Sequence, residues 1–168
     1  MCAGYWVCSR NVAAARQTSN NPKMETTSFR HAKGDINRLP CVFRKALQAR
    51  WAVCECAARQ DEGGRESIVC AQPLARASCG ELHGLLREKS GFALGMAGPA
   101  NTRRTLPAAK LMKIQCGGLN GLRDTVDPGA VAPSVHRLVR LAKEQCGELD
   151  ALPFSEIVKG IAAWSPRR

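Results

Sequence analysis

Between Cys41 and Ala58 the apolar residues Val42, Phe43, Ala46, Leu47, Trp51, Val53, Cys54 and Ala57 recur by threes and fours. That spacing predicts one helical stripe, with Arg44, Lys45, Gln48 and Arg59 on the remaining surface and Gly63-Gly64 ending it. Pro73 then stands where proline opens a helix, at its first position. Leu74, Cys79, Leu82, Leu85, Leu86 and Phe92 continue along that helix until it fails near Gly95. The clearest pattern comes later. Ser134 is a capping residue, Val135, Leu138, Val139, Leu141, Ala142 and Cys146 form the buried side, and Gly147 ends the run. A last helix starts near Pro153 and carries Phe154, Ile157, Val158, Ile161 and Trp164 before Pro166.

Aromatic residues make up only 5% of the chain, so Leu, Val, Ile and Ala must supply the core. Small aliphatic side chains suit close-packed helices better than a sandwich of sheets. The expected fold is therefore all-α: four to five helices in one domain over residues 39–168. Residues 1–38 read as a disordered or extended N-terminal segment, because no hydrophobic period crosses Gln17-Thr18-Ser19-Asn20-Asn21-Pro22.

Three stretches fit this scheme less well. Ser67-Ile68-Val69-Cys70 is too short to assign. Residues 95–107, rich in Gly, Pro, Asn and Thr, read as a loop. Ala108 to Cys116 suits either a helix or a short strand at Leu111–Ile114, and Gly117-Gly118-Leu119-Asn120-Gly121 is expected to interrupt both.

No stretch reaches the roughly 20 apolar residues of a membrane-spanning helix. The apolar segment Asn11–Ala15 is short for a secretory signal and lies between Arg10 and Arg16. A cytoplasmic location follows as the expectation, and there nine cysteines stay reduced. The net charge of +11 is dispersed, with six basic and two acidic residues in 1–38 and no dense basic block elsewhere.

Five of the nine cysteines, Cys41, Cys54, Cys56, Cys70 and Cys79, lie within 39 residues. Soft thiolates select zinc, copper(I) or iron–sulfur clusters, and four complete such a site. Structural zinc usually recruits close C-x2-C or H-x3-H pairs, and this chain has neither. On a helix, Cys54 and Cys56 would point about 200° apart and could not share one ion. Wide spacing on helices favours an iron–sulfur cluster, with zinc second. The preferred ligands are Cys41, Cys54, Cys70 and Cys79, with Cys56, Cys116 or His83 as substitutes, since His83 follows Cys79 by one helical turn. The plainer alternative is that these thiols are small core hydrophobes.

Other chemistry finds little support. No G-x-G-x-x-G or G-K-[ST] phosphate cradle is present, and no paired carboxylates stand out. Cys116 before Gly117-Gly118 resembles an exposed nucleophile only weakly, and His136, in the first turn of its helix, suggests no role. An enzyme is not expected. Arg137, Arg140 and Lys143 line one helix face and offer an alternative function, a basic helical module binding nucleic acid or a protein partner. The leading expectation is a cysteine-ligated, preferably iron–sulfur, protein with an accessory or electron-transfer role and a protein partner.

Overall fold

The architecture comes from a computed structural model that describes residues 39–62, 64–96 and 105–166. The segment 1–38 and most of the expected 95–107 loop lie outside them. The described elements, in chain order, are α1 (Arg44–Gln48), β1 (Ala57–Glu62), β2 (Arg65–Cys70), α2 (Pro73–Lys89), α3 (Ala108–Met112), a π-helical turn (Lys113–Gly117), α4 (Gly118–Val126), α5 (Val135–Cys146), a 3-10 turn (Leu149–Ala151) and α6 (Phe154–Ala163).

The all-α expectation is overturned by β1 and β2, which pair antiparallel from Ala57↔Cys70 to Glu62↔Arg65. The long helix expected over 41–58 stops at Gln48. Arg50 adopts φ 54°, the Trp51 N–H reaches back to the Ala46 carbonyl at 2.9 Å, and the Arg50 N–H reaches Leu47 at 3.1 Å. This Schellman closure satisfies the last carbonyls and turns the chain away from the helix axis. No helix runs up to Gly63-Gly64: the chain before them is strand β1, and Gly64, just ahead of β2, takes φ 81° with its N–H donating to the Asp61 carboxylate at 2.8 Å. Ile68, Val69 and Cys70 of β2 are buried, and residues 39–41 lie along the other edge of β2, where the Cys41 N–H donates to Ile68 at 2.8 Å.

Helix α2 begins with Pro73 as expected and buries Cys79, Leu82 and Leu86, but Leu74 and Phe92 are exposed rather than part of its stripe. The stretch from Ala108 to Val126 is helical throughout, so its glycines interrupt nothing. They let two helices touch. A Cβ on Gly121 would stand 2.6 Å from the Ile157 carbonyl oxygen and 2.8 Å from its Cα, and one on Gly160 would stand 2.9 Å from the Gly121 Cα. Backbone therefore lies against backbone where α4 crosses α6.

Trp51 and Gln115 are among the links that join this helical region to the cysteine-bearing region. Trp51 stacks edge-on against Trp164 at 5.4 Å and donates its indole N–H to Asn120 at 3.1 Å. Gln115, 2% exposed in the π turn, accepts the Lys45 and Ala46 N–H groups on Oε1 at 3.1 and 3.2 Å and donates from Nε2 to the Val42 carbonyl at 2.9 Å. Phe43, at the N-cap of α1, makes no side-chain cap. Gln115 thus caps α1 from 69 and 70 residues away in sequence.

Candidate metal centre

Four separate pieces of backbone bring the clustered cysteines together. Cys41 comes from the segment before α1, Cys54 and Cys56 from the turn before β1, Cys70 from the end of β2, and Cys79 from the second turn of α2. All five line one small cavity, together with Arg76 and His136. The space is about 10 Å³, room for about one water molecule.

The early end of α1 changes one conclusion directly. Cys54 and Cys56 lie at a turn, not on a helix, and both line the same cavity. Cys56 belongs in the same cavity as the preferred four. The turn is anchored at both ends: the Val53 N–H donates to Pro133 at 3.0 Å, the Val135 N–H to Val53 at 2.9 Å, and the Ala71 N–H to Cys56 at 2.9 Å. Ser134, at the N-cap of α5, makes no side-chain cap, and this backbone exchange with Val53 takes up one of the free N–H groups of α5.

Burial dominates the electrostatics. It pushes the Cys79 thiol up to about 12 and the Cys56 thiol up to about 11, and the neighbouring thiols add to both shifts. Cys41 is raised for the same first reason, and the Arg76 guanidinium partly opposes it. The Cys70 thiol donates to the Gln72 carbonyl at 3.2 Å. Without a cation Cys41, Cys56 and Cys79 hold their protons near neutral pH; a cation that binds them must displace these protons, which makes its affinity depend on pH.

The other expected ligands stand elsewhere. Cys116 is fully buried in the π turn and does not line the cavity; burial pushes its thiol up to about 11. His83 packs edge-on against Phe43 at 5.7 Å, and burial, then Arg87, lowers its pKa. A residue that sequence reasoning set aside is present instead. His136 lines the cavity, and its Nδ1 lies 2.5 Å from a Glu55 carboxylate oxygen. Glu55, Cys56 and His136 each offer a ligand atom within 4.8 Å of the other two. Among the described residues no three cysteine sulfurs come that close to one another.

The three cations of the alternative interface each face a carboxylate. Arg137 pairs with Asp127 at 2.9 Å, Arg140 with Glu144 at 2.6 Å, and Lys143 with Glu81 at 3.4 Å, with Ser78 at 2.9 Å from the same ammonium. Phosphates would have to compete with these partners, so the stripe is a weak electrostatic footprint. Among the described residues no helix is long and apolar enough to cross a membrane. No protein-family model, no curated protein and no solved structure matches this chain.

Proposed function

We propose that this chain is a cysteine-ligated metal-binding protein whose centre is an iron–sulfur cluster on Cys41, Cys54, Cys70 and Cys79, serving an accessory or electron-transfer role with a protein partner in the cytoplasm. The observation that carries this reading is the convergence of five thiols from four elements on one cavity. A gap of this size is common in protein interiors, so the support comes from the five cysteines among its lining residues and not from the gap itself. The preference for a cluster over a zinc knuckle rests on the sequence, where the cysteines are widely spaced and no C-x2-C pair occurs. Arg76 at the cavity wall supplies positive charge against an anionic thiolate centre.

A second reading is a single zinc ion on the same thiols. It is favoured by the volume, since about 10 Å³ admits one ion without outward movement of the 54–56 turn, and a four-iron cluster requires that movement. Single substitutions Cys41→Ser, Cys54→Ser, Cys70→Ser and Cys79→Ser, each reconstituted anaerobically with iron and sulfide, test the ligand set. Each should lose most of the visible absorption while Cys116→Ser keeps it. Full retention of absorption by all four would contradict the assignment.

A further inference from the structure

One set of mixed donor groups runs from the surface to the cavity lined by thiols. Glu55 is exposed, with 65% of its side chain accessible; His136 is half-buried at 30%; Cys56 is buried. The three thus form a gradient from solvent to cavity, and their oxygen, nitrogen and sulfur atoms lie within 4.8 Å of one another. Cys56 and His136 also line the inner cavity.

We propose that Glu55, Cys56 and His136 form a second, outer site for a single borderline divalent ion, iron(II) or zinc, and that ions bound there are handed on to the inner thiols. The outer site stands on its own geometry; its handing-on role rests on the metal-centre reading above. Carboxylate oxygen, imidazole nitrogen and thiolate sulfur are the three donor types zinc accepts. Three protein ligands leave one of four positions open, and an open position lets the next thiol, Cys54 or Cys70, enter the coordination shell before an outer ligand leaves. The Cys56 thiol proton passes to solvent as the ion binds, and His136 ligates as neutral imidazole, keeping one ring N–H on the nitrogen that does not face the ion. No oxidation or reduction takes place.

The separation of these residues is fixed by backbone and not by side-chain chance. Glu55 and His136 are 81 residues apart in sequence, yet the parallel bridge between Val53 and Ser134, hydrogen-bonded through Pro133 and Val135, pins the 53–56 turn to the start of α5. A surface ion pair between Glu55 and His136 needs neither the buried sulfur beside it nor a void behind it.

Cobalt(II) added anaerobically to the reduced full-length chain tests this, because cobalt–thiolate absorption reports both rate and ligand type. Glu55→Gln, His136→Ala and Cys56→Ser should each slow loading of the inner thiols by about tenfold or more, with the final amount bound at the inner thiols unchanged. Loading at the wild-type rate in all three variants would overturn the handing-on role. A triple variant Cys54→Ser, Cys70→Ser, Cys79→Ser should still bind one cobalt with a weak, single-thiolate band that His136→Ala removes. Loss of that band in the triple variant, with its circular dichroism preserved, would overturn the outer site. If the triple variant keeps the band while the wild type gains no second, stronger thiolate absorption, the inner-centre reading fails and the outer site survives.

Discussion

The two regions of this protein solve the problem of an interior in opposite ways. In residues 105–166, Ile114, Leu119, Leu122, Leu138, Ile157 and Ile161 are almost wholly enclosed, and α4 and α6 approach until backbone meets backbone at Gly121 and Gly160. In residues 39–96, the segment before α1, the turn before β1, the end of β2 and the start of α2 bring five cysteines around a small cavity that Val135 and His136 of α5 complete. The first region fills its own space. The second holds buried thiols whose protons burial keeps in place, and its segments are tied to the rest by Gln115 and Trp51. A region packed to density gains little from a ligand, whereas a region built around a hole has something to gain.

The largest expected effect follows from that contrast. Loading the centre should slow amide exchange by about a hundredfold or more at locally opening sites in residues 39–79, and leave the amides of α4 and α6 nearly unchanged. Hydrogen exchange with and without metal measures this, and equal slowing in both regions would dissolve the distinction. Next, Gly121→Ala should destabilise the fold by about 2–3 kcal/mol in urea, because its Cβ meets the Ile157 backbone, without altering metal content per folded chain. Gln115→Leu joins the two regions in one test. It should cost about 2 kcal/mol by stranding the Lys45 and Ala46 N–H groups and the Val42 carbonyl. It should also weaken metal affinity by about tenfold through the loosened Cys41 segment.

The smallest effects lie in the pH dependence of the metal-free protein. The unfolded chain gives up the Cys79 proton near 9.0 while the folded chain keeps it to about 12, so stability should fall as pH rises above 9. His83 acts at the other end. Its folded pKa is lowered from 6.5 by burial, so the unfolded chain takes up a proton first, and stability should fall as pH drops below 6.5. Thermal melts across both ranges should flatten in Cys79→Ala above pH 9 and in His83→Phe below 6.5.

Much of the helical region was legible because its apolar residues keep one period and its ends carry recognisable signals. Pro73, Ser134, Gly147 and Pro153 all stand at or beside helix ends. The hairpin was not legible for a physical reason. Strand β1 reads Ala-Ala-Arg-Gln-Asp-Glu, with no β-branched or aromatic residue, and owes its conformation to pairing with buried Ile68 and Val69. The chance spacing of Trp51, Val53, Cys54 and Ala57 then extended α1 past its true end. That error carried into the site, where it set Cys54 against Cys56. Gly63-Gly64 between two short runs, the second with adjacent β-branched residues, was the available signal for the hairpin. The grouping of Cys41, Cys54, Cys70 and Cys79 could be suspected from proximity in sequence alone. Glu55 and His136 could not, since only the bridge between Val53 and the start of α5 brings them together.

The decisive measurement is the iron, acid-labile sulfide and zinc content of the full chain purified without oxygen, taken together with its visible spectrum. About four irons and four sulfides per chain with broad visible absorption is the predicted result. One zinc per chain in a colourless protein would retain a metal centre in the cavity but discard the cluster. Neither metal, before or after anaerobic reconstitution, would contradict the metal centre and leave five thiols around an unfilled void.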